Sequence, residues 1–165
     1  MARVPSVGLH AEHESPHHRT MLRGQELVSA CGCPMVRRTV TDYNLYPCRR
    51  ANGPLPGNAG EVVLANDGAS IEVVAEVVDG RVADVVYRAS SCATLVAYAE
   101  VLGEMVIGLE LAEAMRITPQ TLVSALPGVP IYRQERAVLT VRAWWSALAR
   151  WLEARSDATE GEALD

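Results

Sequence analysis

The sequence predicts an α+β domain: a three-stranded antiparallel β-meander packed by a central apolar helix, with short helices and a long C-terminal helix. Three observations carry this. Residues 70–78 alternate, with Ile71, Val73, Ala75 and Val77 on one face and Ser70, Glu72 and Glu76 on the other, the period of two of a half-buried strand. Residues 93–107 are apolar almost all round, interrupted only by Thr94, Tyr98, Glu100 and Glu104, which suits a helix inside a core. Leu139, Trp144, Leu148, Trp151 and Leu152 recur at helical spacing, so residues 132–155 form an amphipathic helix with a wide apolar face.

Taken in order, residues 1–38 show no periodic apolar face and read as a disordered tail, because such a segment buries too little surface to offset its ordering entropy. All four histidines, His10, His13, His17 and His18, lie there, with Cys31 and Cys33. Imidazoles suit several transition metals, so metal capture is the functional reading of this tail; a solvated His/Glu-rich segment is the plain one. The domain is expected over residues 39–155. It begins with a short, partly helical or irregular arm up to Gly53, and Gly53-Pro-Leu-Pro-Gly-Asn-Ala-Gly60 follows as a linker, too dense in Pro and Gly for a helix or central strand.

Residues 61–65 form the first strand. Asn66-Asp67-Gly68 is a turn, since these residue types tolerate positive φ. Asp79-Gly80 closes a two-residue hairpin, and the return strand 81–89 turns Val85, Tyr87 and Ala89 to one side. Ser90 or Ser91 is expected to cap the central helix by accepting a bond from its first-turn amides. Gly108 suits the position just past its end. A short helix covers 111–116. Thr118-Pro119 is an N-cap followed by a first-turn proline, opening a helix to about Ala125. Leu126-Pro-Gly-Val-Pro130 is a surface loop. Residues 156–165 read as a disordered acidic tail.

Composition narrows the function classes. Hydrophobic residues make up 49% of 165, with no Phe and only 5% aromatics, so Val, Leu, Ala, Ile and Met must build the core. A net charge of −5 gives no electrostatic case for a nucleic-acid partner. No apolar run reaches the roughly 18–20 residues that span a bilayer, and the N-terminus has no secretory h-region. Four cysteines in that setting read as reduced thiols, which implies the cytoplasm and no membrane. No nucleophile–base–orienter set, phosphate-binding loop or acid–base carboxylate pair is visible, so the protein is not expected to be an enzyme.

Cys92 stands where the meander meets the central helix. A thiol there feels the positive end of the helix dipole, which favours a reactive or metal-binding thiolate; a buried structural cysteine is the plain alternative. Here the order of elements and motifs resembles the IscU/NifU N-terminal family of iron–sulfur cluster assembly scaffolds, over about residues 46–154. Tyr46 with Arg50 and Gly53 is similar to the family's Tyr…Pro-Arg-Asn…Gly segment. Asn66-Asp67-Gly68 stands where the family has Ala-Cys-Gly-Asp, and Ser90-Ser91-Cys92-Ala93 resembles its Phe-Gly-Cys turn. Glu104-Met-Val-Ile-Gly108 with Leu111 and Glu113-Ala114 is similar to its Glu-Trp-Val-Lys-Gly…Leu-Asp-Glu-Ala run, and Leu126-Pro-Gly-Val-Pro130 resembles Leu-Pro-Pro-Val-Lys.

The resemblance implies an IscU/SufE-like fold, a scaffold function, and a cysteine desulfurase, other assembly proteins or a metalloenzyme client as partners. It also exposes departures. The family holds its cluster with three cysteines helped by an Asp and a His. Here the first cysteine is Asp67, the Asp is Ala69, the second cysteine survives as Cys92, and the His-Cys pair is Tyr132-Arg133. The implied roles are Cys92 as sulfur acceptor or as iron or cluster ligand, Asp67 as a second ligand, and Cys48, Cys31, Cys33 or a second subunit as sources of others. A zinc site on Asp67, Cys92 and upstream His or Cys is the less favoured metal reading. Leu126, Pro127 and Val129 are the implied partner-binding residues, from the loop that docks an Hsp70-type chaperone in the family. The alternative is a non-catalytic protein-binding or regulatory module that kept the fold and lost the metal site and any cofactor. Such a module would bind through the Trp144/Trp145/Trp151 helix, the edge strand or the altered loop.

Overall fold

The computed structural model describes residues 38–162; the His- and Cys-containing segment up to residue 37, with the readings placed on it, lies outside them. The elements are α1 (Val40–Leu45), β1 (Val63–Leu64), β2 (Ser70–Val78), β3 (Arg81–Ala89), α2 (Ala93–Val106), α3 (Leu111–Ala114), α4 (Pro119–Ala125), a 3-10 turn (Ile131–Arg133) and α5 (Glu135–Glu162). The strands form one antiparallel sheet in the order β1-β2-β3. α5 lies along β2 and α2 along β3, so the protein is the expected α+β meander with helices on its apolar face.

The turns follow from their residues. Asp79 and Gly80 both take positive φ, +51° and +76°, the backbone a tight hairpin needs to match strand twist. Ile71, Val73 and Ala75 are buried, and their partners Ala89, Tyr87 and Val85 lie opposite them. The alternation then breaks. Glu76 pairs with Asp84 but Val77 pairs with Val82, so β3 carries one extra residue. This bulge resets the side-chain parity and buries Val82 with Val85, which strict alternation would have put on opposite faces.

α2 is buried along most of its length, Glu100 included. That carboxylate is satisfied from the arm: the Arg49 amide and Nη1 donate to it at 2.9 and 3.0 Å, and the Tyr87 hydroxyl at 2.8 Å. Gly103 makes room for this, because a Cβ there would fall 2.4 Å from Arg49 Cδ. The arm continues beside β3, with Ala51 N–H donating to Tyr87 O at 2.8 Å and Tyr87 N–H to Arg49 O at 3.1 Å. Its start, α1, is capped by a reciprocal Thr39–Asp42 box. Arg38, assigned to the tail by sequence, already bonds Glu104 at 3.4 Å.

Three expectations change along the C-terminal half. α3 spans only Leu111–Ala114. On α5, Ala137, Leu139, Val141, Ala143, Trp144, Ala147 and Leu148 are buried, but Leu152 is exposed and Trp151 only half-buried. α5 also continues past Arg155 to Glu162, because residues 156–162 contain no proline to stop it. Trp144 is the core tryptophan, its Nε1 donating to Ala114 O at 2.9 Å. Trp145 is 46% exposed.

Candidate functional site

The turn before β2 and the hinge before α2 meet at one end of the sheet. Gly68, at φ +83°, closes the turn, Ala65 N–H donates to Ala69 O at 2.8 Å, and Ala69 N–H donates to Asp67 Oδ1 at 3.2 Å. Asp67 is thereby fixed with its carboxylate outward. Across from it, Ser90 is tied to the first residue of β2: Ser90 N–H donates to Ser70 O at 2.9 Å, and Ser70 N–H donates to Ser90 Oγ at 3.0 Å. That hydroxyl is therefore not available to cap α2. The capping expectation is corrected: Cys92 occupies the N-cap position, and no side chain caps the helix. The Cys92 amide donates to Ser90 O at 2.7 Å, and its carbonyl accepts from Val96 N–H at 3.0 Å.

Asp67, Ser91, Cys92, Thr94, Arg133 and Arg136 line an open pocket of about 500 Å³. The family resemblance sets Asp67, Cys92 and Arg133 at implied ligand positions; the structure brings these three together. It adds Arg136, which sequence reasoning missed. Arg136 is the first residue of α5's buried face, in register with Thr140, Ala143 and Ala147, and that spacing was the signal available. Its side chain is 2% exposed, and its Nη2 donates to Asp67 Oδ2. Arg133 Nη1 lies 3.7 Å from the same oxygen. The Ala69 amide, and then Arg136, hold the Asp67 carboxyl below the usual carboxylate range. For Arg136, burial works against the cation, but Asp67, with Cys92 and Glu135, outweighs it and keeps the guanidinium charged.

Cys48 does not join this pocket. It is exposed on the arm, its Sγ 3.8 Å from Tyr46 O. Leu126 and Val129, expected at a partner surface, are core residues at 1% and 7% exposure. Gly128, at φ +90°, turns the loop so that both point inward, and Gln134 Nε2 holds the Val129 carbonyl at 3.3 Å. Pro127 is exposed, and the large apolar side chains facing solvent beside the loop are Ile131 and Tyr132, at 86% and 74%.

A model of the NifU-like N-terminal domain matches residues 45–158. The chain belongs to the NifU-like N-terminal domain family. Its members are scaffolds of iron–sulfur cluster assembly. The nitrogen fixation protein NifU of Cereibacter sphaeroides is 32% identical over 119 residues, covering 69% of this chain. The chain spans 46% of that relative's length. The crystal structure of the N-terminal part of a NifU-like protein from Brucella abortus superposes with a TM-score of 0.55 at 19% identity, covering 69% of this chain and 92% of that one. That likeness is one of fold.

The metal donors of this pocket are few. Among the described residues no three His, Cys, Asp or Glu side chains converge. One thiol and one carboxylate are present, and the carboxylate already faces two guanidiniums. A cluster is normally held by four thiolate-like ligands, and structural zinc takes four. Any cation entering here would also meet Arg133 and Arg136, a repulsion at any effective dielectric. The donors of the described residues do not fit a resident cluster or zinc ion. What remains is a half-buried thiol at a helix entrance beside two guanidiniums, an arrangement suited to anionic sulfur.

Proposed function

We propose that this NifU-like domain serves iron–sulfur cluster assembly by accepting sulfur on Cys92, without holding a cluster on its own side chains alone. The carrying observation is the pocket that pairs the Cys92 thiol with Arg133 and Arg136 while lacking a third metal donor. The Cys92 thiolate attacks the outer sulfur of a persulfide on a cysteine desulfurase. A new S–S bond forms at Cys92, the donor's S–S bond breaks, and the donor cysteine leaves as a thiolate. No oxidant is required. The product is a persulfide anion, which the guanidiniums can balance.

On this reading the domain is a non-enzymatic carrier in the cytoplasm, handing sulfur to other assembly proteins or a metalloenzyme client. No helix among the described residues is long and apolar enough to cross a membrane. Iron or a cluster would be cargo, with donors beyond Cys92 and Asp67 drawn from Cys31, Cys33 or a second subunit. The test is intact mass after incubation with a cysteine desulfurase and cysteine. One sulfur is gained by wild type and by Cys48→Ser, is removed by a thiol reductant, and is absent from Cys92→Ser. Equal gain by Cys92→Ser overturns the assignment. A second reading, a protein-binding module that lost the metal site, is supported by exposed Ile131 and Tyr132 beside the pocket. It expects a partner recovered equally by wild type and Cys92→Ser, with no sulfur taken up by either.

A further inference from the structure

We propose that the pocket at the head of α2 binds a small oxyanion of the sulfate, phosphate or thiosulfate class, gripped by Arg133 and Arg136 together with the first-turn amides of α2. Among the side chains lining it are two guanidiniums and one carboxylate, Arg133, Arg136 and Asp67. Glu135, whose Oε1 lies 3.7 Å from Arg136 Nε, is half-exposed and stands outside the lining.

Arg136 is almost wholly buried, yet its Nε has no hydrogen-bond partner. Buried donors are nearly always satisfied, and the acceptor standing by this one, Glu135 Oε1 at 3.7 Å, is beyond hydrogen-bond length. Arg133 meets Asp67 only at 3.7 Å, beyond hydrogen-bond length, and is 43% exposed. Its planar fork, resting 5.8 Å over the Tyr132 ring, can turn toward a tetrahedral or planar anion, the geometry guanidinium recognises best. The third contribution is backbone. α2 is 14 residues long and uncapped by any side chain, and Ala93 and Thr94 at its start line the same pocket. Its leading amides point outward at the positive end of the dipole, a ready anion cradle. Ser91, exposed on the rim, can add a hydroxyl donor. A volume of about 500 Å³ also leaves room for a substituent, so the oxyanion can be free or the terminus of a larger molecule.

Asp67 competes for the same two arginines, which makes a sharp test. The full chain is titrated by calorimetry with inorganic sulfate, phosphate and thiosulfate, ionic strength being held constant with chloride. Wild type binds at least one of them saturably at one site. Arg133→Ala, a partly exposed position whose loss leaves the core intact, weakens that binding about tenfold or more, as expected for one charge-assisted contact. Asp67→Ala frees both guanidiniums and tightens it. Ala93 and Thr94 amide resonances shift on binding. Absence of saturable binding by all three anions overturns the proposal, as does wild-type affinity in both Arg133→Ala and Asp67→Ala. No desulfurase is present and Cys92→Ser retains binding, so this result is read separately from the sulfur-acceptor assignment.

Discussion

Replacing Glu100 tests how the N-terminal arm is fastened to the helix that begins at Cys92. The carboxylate is fully buried and takes three hydrogen bonds, from the Arg49 amide, the Arg49 guanidinium and the Tyr87 hydroxyl. Glu100→Ala leaves a guanidinium that is 8% exposed without its counter-charge, along with two neutral donors. Breaking a buried pair by removing one partner costs about 3–5 kcal/mol, most of it the orphaned charge. Unfolding entropy for a domain of roughly 120 residues is about 0.25 kcal/mol/K, so the melting midpoint falls by about 12–20 °C. Glu100→Gln keeps the shape and one acceptor but loses the charge. It should fall between wild type and Ala, with a loss of about 1.5–3 kcal/mol. Urea unfolding followed by circular dichroism reads both variants, the midpoint shifting at constant m-value. A loss below about 1 kcal/mol for Glu100→Ala would refute the reasoning, since it would mean that Arg49 finds water or another acceptor at no expense.

Three further expectations follow from local geometry. Gly60→Ala drives a Cβ to 2.6 Å from Ala147 N and 2.9 Å from Ser146 C; these are backbone atoms that cannot swing aside, so the variant loses about 1–3 kcal/mol in urea unfolding. Thr118→Ala removes the side-chain half of the box that caps α4, the bond from Thr121 N–H to Thr118 Oγ1, together with the contact between the two hydroxyls, and lowers stability by about 1 kcal/mol in a thermal melt. Asp67 sets an acid dependence. Its carboxyl is held below its ordinary value of 3.8 by the Ala69 amide and Arg136, so its stabilisation is whole above that unfolded value and fades as pH falls through the lower folded one. The difference in urea midpoint between wild type and Asp67→Asn therefore closes on acidification below about pH 4, and a difference unchanged at low pH would exclude the ionised carboxylate as its source.

The parts of this fold legible in the sequence are those whose backbone demands a residue type. Asp79-Gly80, Asn66-Asp67-Gly68, Gly108 and Thr118-Pro119 all stand where expected, because positive φ, a helix stop and an N-cap are local requirements met by local chemistry. Apolar periodicity placed β2, α2 and the first half of α5 for the same reason. Leu126 and Val129 were misread as surface because Pro and Gly mark a turn but do not say which way its side chains point. Trp151 and Leu152 keep the helical spacing of the buried face, but spacing alone does not bury a residue.

The candidate site divides along the same line. Sequence by itself determined that a thiol, Cys92, opens an apolar helix, and the family resemblance it carries pointed to Asp67 and Arg133 as companions of that thiol. It could not determine that Arg136 is buried against Asp67, 69 residues away, or that Arg49 and Glu100, 51 apart, close a buried ion pair. Periodicity reports which face of an element is turned inward. Which groups meet there, and so whether an inward charge finds a partner, depends on the packing of elements far apart in the chain, and only the tertiary structure decided it.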